Sequence, residues 1–245
     1  INKLRADYST MSKIASIRYT INTDDEFYNK EHDFFDDIGP IVGGLSNKLY
    51  NALVKSIYRK DLEVLCGKQL FNLAEVSVKT FSPEIIDDLK KENHLVSRYV
   101  KLIASAKIDF EGEVRNIAGL APFIESKLNF FEENETELDT IYDDLVKLRT
   151  AIAKKLGYDN FIQLGYDRMK RTGYTVNDIA KFRDAVKEFI VPVTGALNEI
   201  KKKITGLDHL YYYDSGINFR DGNPTPKGSP EWIVENAKKM YSELS

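Results

Sequence analysis

The residues of this 245-residue chain best suited to metal or nucleophilic chemistry are three histidines and one cysteine, and their spacing argues against both. A zinc-protease helix needs a glutamate directly after its first histidine and a second histidine four residues on. After His32 those two positions hold Asp33 and Asp36. His94 has Lys90 and Arg98 four residues to either side, and His209 has Thr205 and Tyr213. No self-contained zinc site is therefore expected within the chain. Cys66, between Leu65 and Gly67, reads as buried filler rather than as a nucleophile.

The adjacent carboxylates Asp87/Asp88 and Asp143/Asp144 do not face one point on a helix, so they read as solvated faces rather than as an acid/base pair. Gly43-Gly44, Gly112 and Gly119 form no phosphate loop. Lys201-Lys202-Lys203 reads as a solvated helical turn in a chain of net charge −3, which gives no reason to expect a nucleic-acid or charged-membrane partner. The aromatic group Tyr211, Tyr212, Tyr213 and Phe219 carries more interest. Tyrosine offers a large surface and a hydroxyl, suited to lining a groove for a peptide, although a loop pinned by its own rings is the simpler reading.

The elements that must position these residues are helical. Leu138, Ile141, Leu145, Leu148, Ile152 and Leu156 recur every three or four residues and give a long helix an apolar face, which Tyr142 widens and Gly157 closes. Ser82-Pro83-Glu84 and Ser229-Pro230-Glu231 each combine a capping hydroxyl with a first-turn proline. Thr23 or Asp24 is expected to cap a helix that Gly39-Pro40 interrupts, with another running to Tyr58. The segment 1–20 mixes a short helix, Ile1 to Met11, with Ile14, Ile17 and Tyr19 facing a partner. The leucines from Leu62 to Leu73 suggest a helix or a pair broken at Gly67. A helix is expected to begin near Asp159, and Thr175 with Asp178 resembles a capping box. The pattern from Val176 to Ile204 contains Pro192, which should bend the helix near residues 188–191. Alternation of Ile108 and Phe110, the Glu111-Gly112 turn and Val114 predict one small hairpin within 106–117. The fold class is all-α with that single hairpin. Two regions are expected, 1–125 with the hairpin and 127–245.

Composition agrees with a soluble globular chain: 42% hydrophobic, 30% charged, seven prolines and fourteen glycines. One cysteine excludes an internal disulfide, and no apolar run is long enough to span a membrane. Ile1 is not a natural initiator and Ser245 falls within a helix, so the expectation is a segment of a longer protein.

Several stretches together resemble the oligoendopeptidase F group of the thimet-oligopeptidase-like zinc metallopeptidases. They are Leu156-Gly-Tyr-Asp-Asn-Phe-Ile-Gln-Leu-Gly-Tyr-Asp-Arg-Met-Lys-Arg-Thr-Gly-Tyr174, Asn223-Pro-Thr-Pro-Lys-Gly-Ser-Pro-Glu-Trp-Ile233, Gly67-Lys-Gln-Leu-Phe71, Lys79-Thr-Phe-Ser-Pro-Glu-Ile85 and Leu102-Ile-Ala-Ser-Ala-Lys107. They are collinear and span nearly the whole chain. The resemblance implies a cytoplasmic, mostly helical zinc peptidase that cleaves short unfolded peptides in a channel. It implies catalysis by a His-Glu-x-x-His helix and a later glutamate, the metal polarising the scissile carbonyl. None of those residues can be placed here, so the zinc ligands are expected beyond Ser245. This segment would then be a channel wall, with no cofactor of its own and with the C-terminal catalytic portion as its partner. Tyr211, Tyr212, Tyr213 and Phe219 are its candidate channel residues. Family members carry extra residues near Ile124–Phe130, so Ser126–Lys127 is expected to mark a junction or a deletion. The alternative is a catalytically silent helical module that binds peptide or protein.

Overall fold

A computed structural model describes residues 2–110, 112–117 and 124–244. The chain divides into two compact units, Ile1–Ala180 and Lys181–Ser245. Residues 118–123, which adjoin the division expected from the sequence, lie outside the described set, as does Glu111 of the expected turn.

The first unit opens with α1 (Asn2–Ile21), one continuous helix rather than a short helix and a separate strip. Its cap-to-cap neighbour α2 (Glu26–Val54) corrects the expectation more sharply. Asp25, not Thr23 or Asp24, is the N-cap, its carboxylate accepting the Tyr28 N–H. Pro40 lies inside this helix and does not end it. A proline removes one N–H and so orphans the carbonyl four residues earlier, here that of Asp36. The Asn93 side chain donates to that carbonyl at 2.8 Å, which supplies the missing bond from another helix. Pro40 is buried, so its ring also contributes packing that a sequence rule does not count.

α3 (Arg59–Cys66) and α4 (Lys68–Lys79) are the pair broken at Gly67, whose φ of 85° is open to glycine and costly to other residues. Cys66 is exposed rather than buried, because α3 is short and presents Val64 and Leu65 to solvent as well. Ser82 caps a 3-10 turn, Pro83–Ile85, that leads into α5 (Ile86–Ala104). β1 (Ile108–Phe110) and β2 (Glu113–Arg115) form the antiparallel hairpin, with Asp109 opposite Val114. α6 (Ile124–Glu133), α7 (Glu135–Lys155) and α8 (Phe161–Arg168) follow, and Gly157 closes the long helix at φ 81°. Asn160 rather than Asp159 caps α8, its side-chain oxygen accepting the Ile162 N–H.

α2 packs against α1, α4 and α5, α5 packs against α7, and α7 packs against α8. The core lies at that last junction, where Ile85, Ile152, Ala153, Tyr158 and Leu164 are buried with Leu89, Leu148, Leu156 and Phe161 around them. Each fully buried leucine or isoleucine there contributes about 1.5–3 kcal/mol of transfer free energy. Tyr142 does not widen the apolar face: it is 72% exposed.

α9 (Val176–Ala185) starts with the reciprocal cap expected of Thr175 and Asp178: the Thr175 N–H donates to Asp178 Oδ2 and the Asp178 N–H to Thr175 Oγ1. In the second unit five residues, Val186–Ile190, form a π-turn before α10 (Val191–Thr205), so Pro192 sits in the first turn of a new helical stretch. The wider turn, closed by the Val191 N–H on the Val186 carbonyl, takes the place of the bend expected near residues 188–191. Gly206 ends α10 in the left-handed region, a 3-10 turn covers Tyr212–Gly216, and α11 spans Pro230–Leu244. No described helix is long and apolar enough to cross a membrane.

Candidate functional site

Tyr211 and Phe219, two of the four aromatic candidates, are exposed on the loop between α10 and α11. The side chains of Tyr212 and Tyr213 lie outside the described set. What shapes this loop is polar. Asp214 is buried, and its carboxylate accepts the Tyr211 N–H at 2.9 Å. Lys201 Nζ donates to the carbonyls of Asp214 and Ser215 at 3.0 and 2.8 Å. This lysine therefore anchors the loop to α10 instead of serving as a solvated turn. Asn223 closes the far side, accepting the Asn218 N–H at 2.8 Å and donating to the Gly216 carbonyl. His209 lies beside the Tyr211 ring, with centroids 6.5 Å apart. The result is a shaped loop that carries exposed aromatic surface, with no nucleophile–base pair among its described residues.

The strongest electrostatic feature lies in the first unit and was not legible beforehand. Glu92 of α5 is buried, and two arginines converge on it. Arg149 Nε of α7 reaches Oε1 at 2.7 Å, while Arg168 of α8 spans the carboxylate with NH1 to Oε1 at 3.2 Å and NH2 to Oε2 at 2.7 Å. Both guanidiniums also lie over the Phe161 ring. Burial alone would raise the Glu92 pKa, but the hydrogen bonds and charges of Arg168 and then Arg149 outweigh it and hold the carboxyl below its ordinary value.

Asp167, the residue before Arg168, is the second buried carboxylate of this unit. Tyr158 Oη donates to it at 2.6 Å, Gln163 Nε2 at 2.9 Å and Lys79 Nζ at 3.0 Å. Here too burial pushes upward and is outweighed, first by the Tyr158 bond, so Asp167 stays ionised below the usual range. Burial, then the Asp167 bond, drives the Tyr158 hydroxyl well above its usual value. Asp88 is a third, buried and bridged by Lys155 at 2.5 Å, which corrects its reading as part of a solvated face. All three carboxylates are engaged by basic partners, and Glu92 and Asp167 each accept three hydrogen bonds. They tie α4, α5, α7 and α8 together, a structural use of charge.

His32, Asp33 and Asp36 are the one group among the described residues whose ligand atoms converge, all within 4.8 Å. The donor set does not suit the catalytic zinc implied by the sequence resemblance. That centre takes three protein ligands and keeps an open position. Asp33 is exposed, and Asp36 Oδ2 already accepts the Ser97 hydroxyl at 2.6 Å. The His32 ring is stacked on Tyr19 with centroids 4.1 Å apart, and Nδ1, 3.5 Å from Asp36 Oδ2, has no hydrogen-bond partner. No second imidazole joins the group. No catalytic step is assigned to it.

Comparison with known proteins gives a consistent picture. The family model for the Peptidase M3 N-terminal domain matches residues 1–81. A search of curated proteins finds no match. Among solved structures, an X-ray structure at 3.1 Å of a protein described as an oligoendopeptidase F is 51% identical with a TM-score of 0.94, over all of this chain and 45% of that one. A PZ peptidase A solved with an inhibitor is 52% identical with a TM-score of 0.94, over all of this chain and 46% of the other. An oligoendopeptidase F from Bacillus anthracis str. Ames is 48% identical with a TM-score of 0.93, over all of this chain and 47% of the other. The chain therefore spans a little under half the length of these solved relatives.

Proposed function

Since the chain belongs to the oligoendopeptidase F family, we propose that it is the N-terminal portion of a zinc-dependent metalloendopeptidase that hydrolyses short peptides. The observation that carries this reading is identity of 48–52% along the whole chain, against coverage of only 45–47% of the relatives. The zinc ligands and the general base belong, on this reading, to the part of the protein not represented here, and the protein is cytoplasmic.

The site geometry supports this division of labour. Glu92, Asp88 and Asp167 are engaged by arginine and lysine partners that fix helix against helix. Such a framework resists deformation, which is what a wall beside a reaction site requires. Tyr211 and Phe219, with Tyr212 and Tyr213, are the residues proposed to approach the peptide channel, from a loop that Lys201 and Asn223 hold in one shape. A narrow channel admits unfolded oligopeptides and excludes folded proteins by size.

The test compares hydrolysis of an internally quenched oligopeptide by the full-length protein and by residues 1–245. Cleavage by the long form that a chelator abolishes, with none by the short form, is expected. Metal-independent cleavage by residues 1–245 would refute the division of labour.

A further inference from the structure

The turn after α8 holds an arginine that the proposed function leaves unused. Lys170 has φ of 55°, in the left-handed region without being glycine. That conformation costs of order 1 kcal/mol and persists only where neighbours enforce it. Here the reversal lets the Lys170 N–H donate to the Asp167 carbonyl at 2.8 Å and the Arg171 N–H to the Tyr166 carbonyl at 3.4 Å. The Arg171 side chain is brought over two rings, 5.0 Å from the centroid of Tyr166 and 5.7 Å from that of Tyr174.

Arg18, Arg59, Arg98, Arg149 and Arg168 each hold a glutamate. Arg171 is half-buried yet has no carboxylate partner among the described residues. A cation held over aromatic rings keeps its N–H donors, and a guanidinium is the side chain whose fork matches a carboxylate with two parallel bonds. A cavity of about 340 Å³ adjoins it, lined also by Gln163, Tyr166, Thr172, Tyr174 and Asp178. Thr172 is fixed from α4, its hydroxyl oxygen accepting Gln69 Nε2 at 3.0 Å. Asp178 sits in the cap of α9, with Oδ2 receiving both the N–H and the hydroxyl of Thr175. Its charge in the same cavity disfavours a ligand with a second anionic group.

We propose that Arg171 and this cavity bind the terminal carboxylate of a short peptide, the guanidinium gripping both oxygens while Tyr166 and Tyr174 hold its plane. The choice of a peptide as ligand rests on the proposed function, whereas the site itself uses neither the zinc centre nor the loop between α10 and α11, so its failure leaves the peptidase reading intact.

Isothermal titration of the full-length protein with three uncleavable probes tests this: N-acetylalanine, its amide, and N-acetylglutamate blocked as the α-amide. A charge-assisted pair exceeds a neutral contact by enough to predict that N-acetylalanine binds at least about tenfold tighter than its amide. Arg171→Gln should bring the two within about twofold, and Arg171→Lys, which keeps the charge and loses the fork, should fall between. Equal binding of acid and amide by the unaltered protein would overturn the site whether or not a variant folds. Unchanged discrimination in R171Q would do the same, and tighter binding of the glutamate probe than of N-acetylalanine would overturn the terminal-carboxylate assignment.

Discussion

Asn93 donates its side-chain amide to the Asp36 carbonyl at 2.8 Å, the carbonyl that Pro40 leaves without an intrahelical partner. A residue on α5 thus completes the hydrogen-bond ladder of α2. Asn93→Ala leaves that carbonyl unpaired in a half-buried setting and should destabilise the first unit by about 1–2 kcal/mol. In a Pro40→Ala background the new N–H satisfies the carbonyl, so the same asparagine change should cost less, with a coupling of about 0.5–1 kcal/mol. Urea denaturation of the four proteins in the cycle measures it, and strict additivity would show that the two residues act independently.

Glu92 is the point at which three helices meet. Glu92→Ala strands Arg149 and Arg168 against each other and should cost about 2–3 kcal/mol, less than for a wholly buried pair because both guanidiniums are partly exposed. Chemical denaturation gives the value; a loss below about 0.5 kcal/mol would place the network among ordinary surface ion pairs.

The same carboxylate makes stability depend on acid. Its folded pKa lies below the ordinary 4.5, so the folded state binds the proton less readily than the unfolded chain. Its contribution is complete above that value and is lost as pH falls below it. The stability difference between the parent and Glu92→Gln should therefore be flat above about pH 5.5 and shrink below about 4.5. Asp167 acts in the same sense from 3.8 downward, so the variant should retain some acid sensitivity. A difference that grows on acidification would contradict the assignment.

Gly228 lies against the ring of Trp232, where an added Cβ would stand 2.5–2.9 Å from three ring atoms. Gly228→Ala must displace the only tryptophan in the chain. Its emission maximum and quenching by iodide should both change, with α11 still helical by circular dichroism. Identical spectra would mean that the ring is not held against this backbone.

Much of the fold can be read from residue order because local rules and tertiary packing agree there. Ser82-Pro83, Thr175 with Asp178, Gly157 and the hairpin all behave as their chemistry dictates. Local rules mislead where a distant residue intervenes. Pro40 stays inside a helix because Asn93 lies 57 positions away in sequence and next to it in space. The burial of Glu92 and Asp88 was invisible for the same reason: a carboxylate on a helix reads as solvated until the arginine or lysine that covers it is placed. Tyr211 and Phe219 lie on the loop between α10 and α11, whereas its anchors, Lys201 and Asp214, carry no local signal.

The central claim is that the catalytic metal is held outside residues 1–245. Metal analysis by mass spectrometry, after dialysis against dilute zinc, tests it on the full-length protein and on this chain side by side. About one zinc per full-length molecule is expected, and below about a tenth per molecule of residues 1–245. A stoichiometric zinc retained by the short chain and lost on His32→Ala would contradict the account.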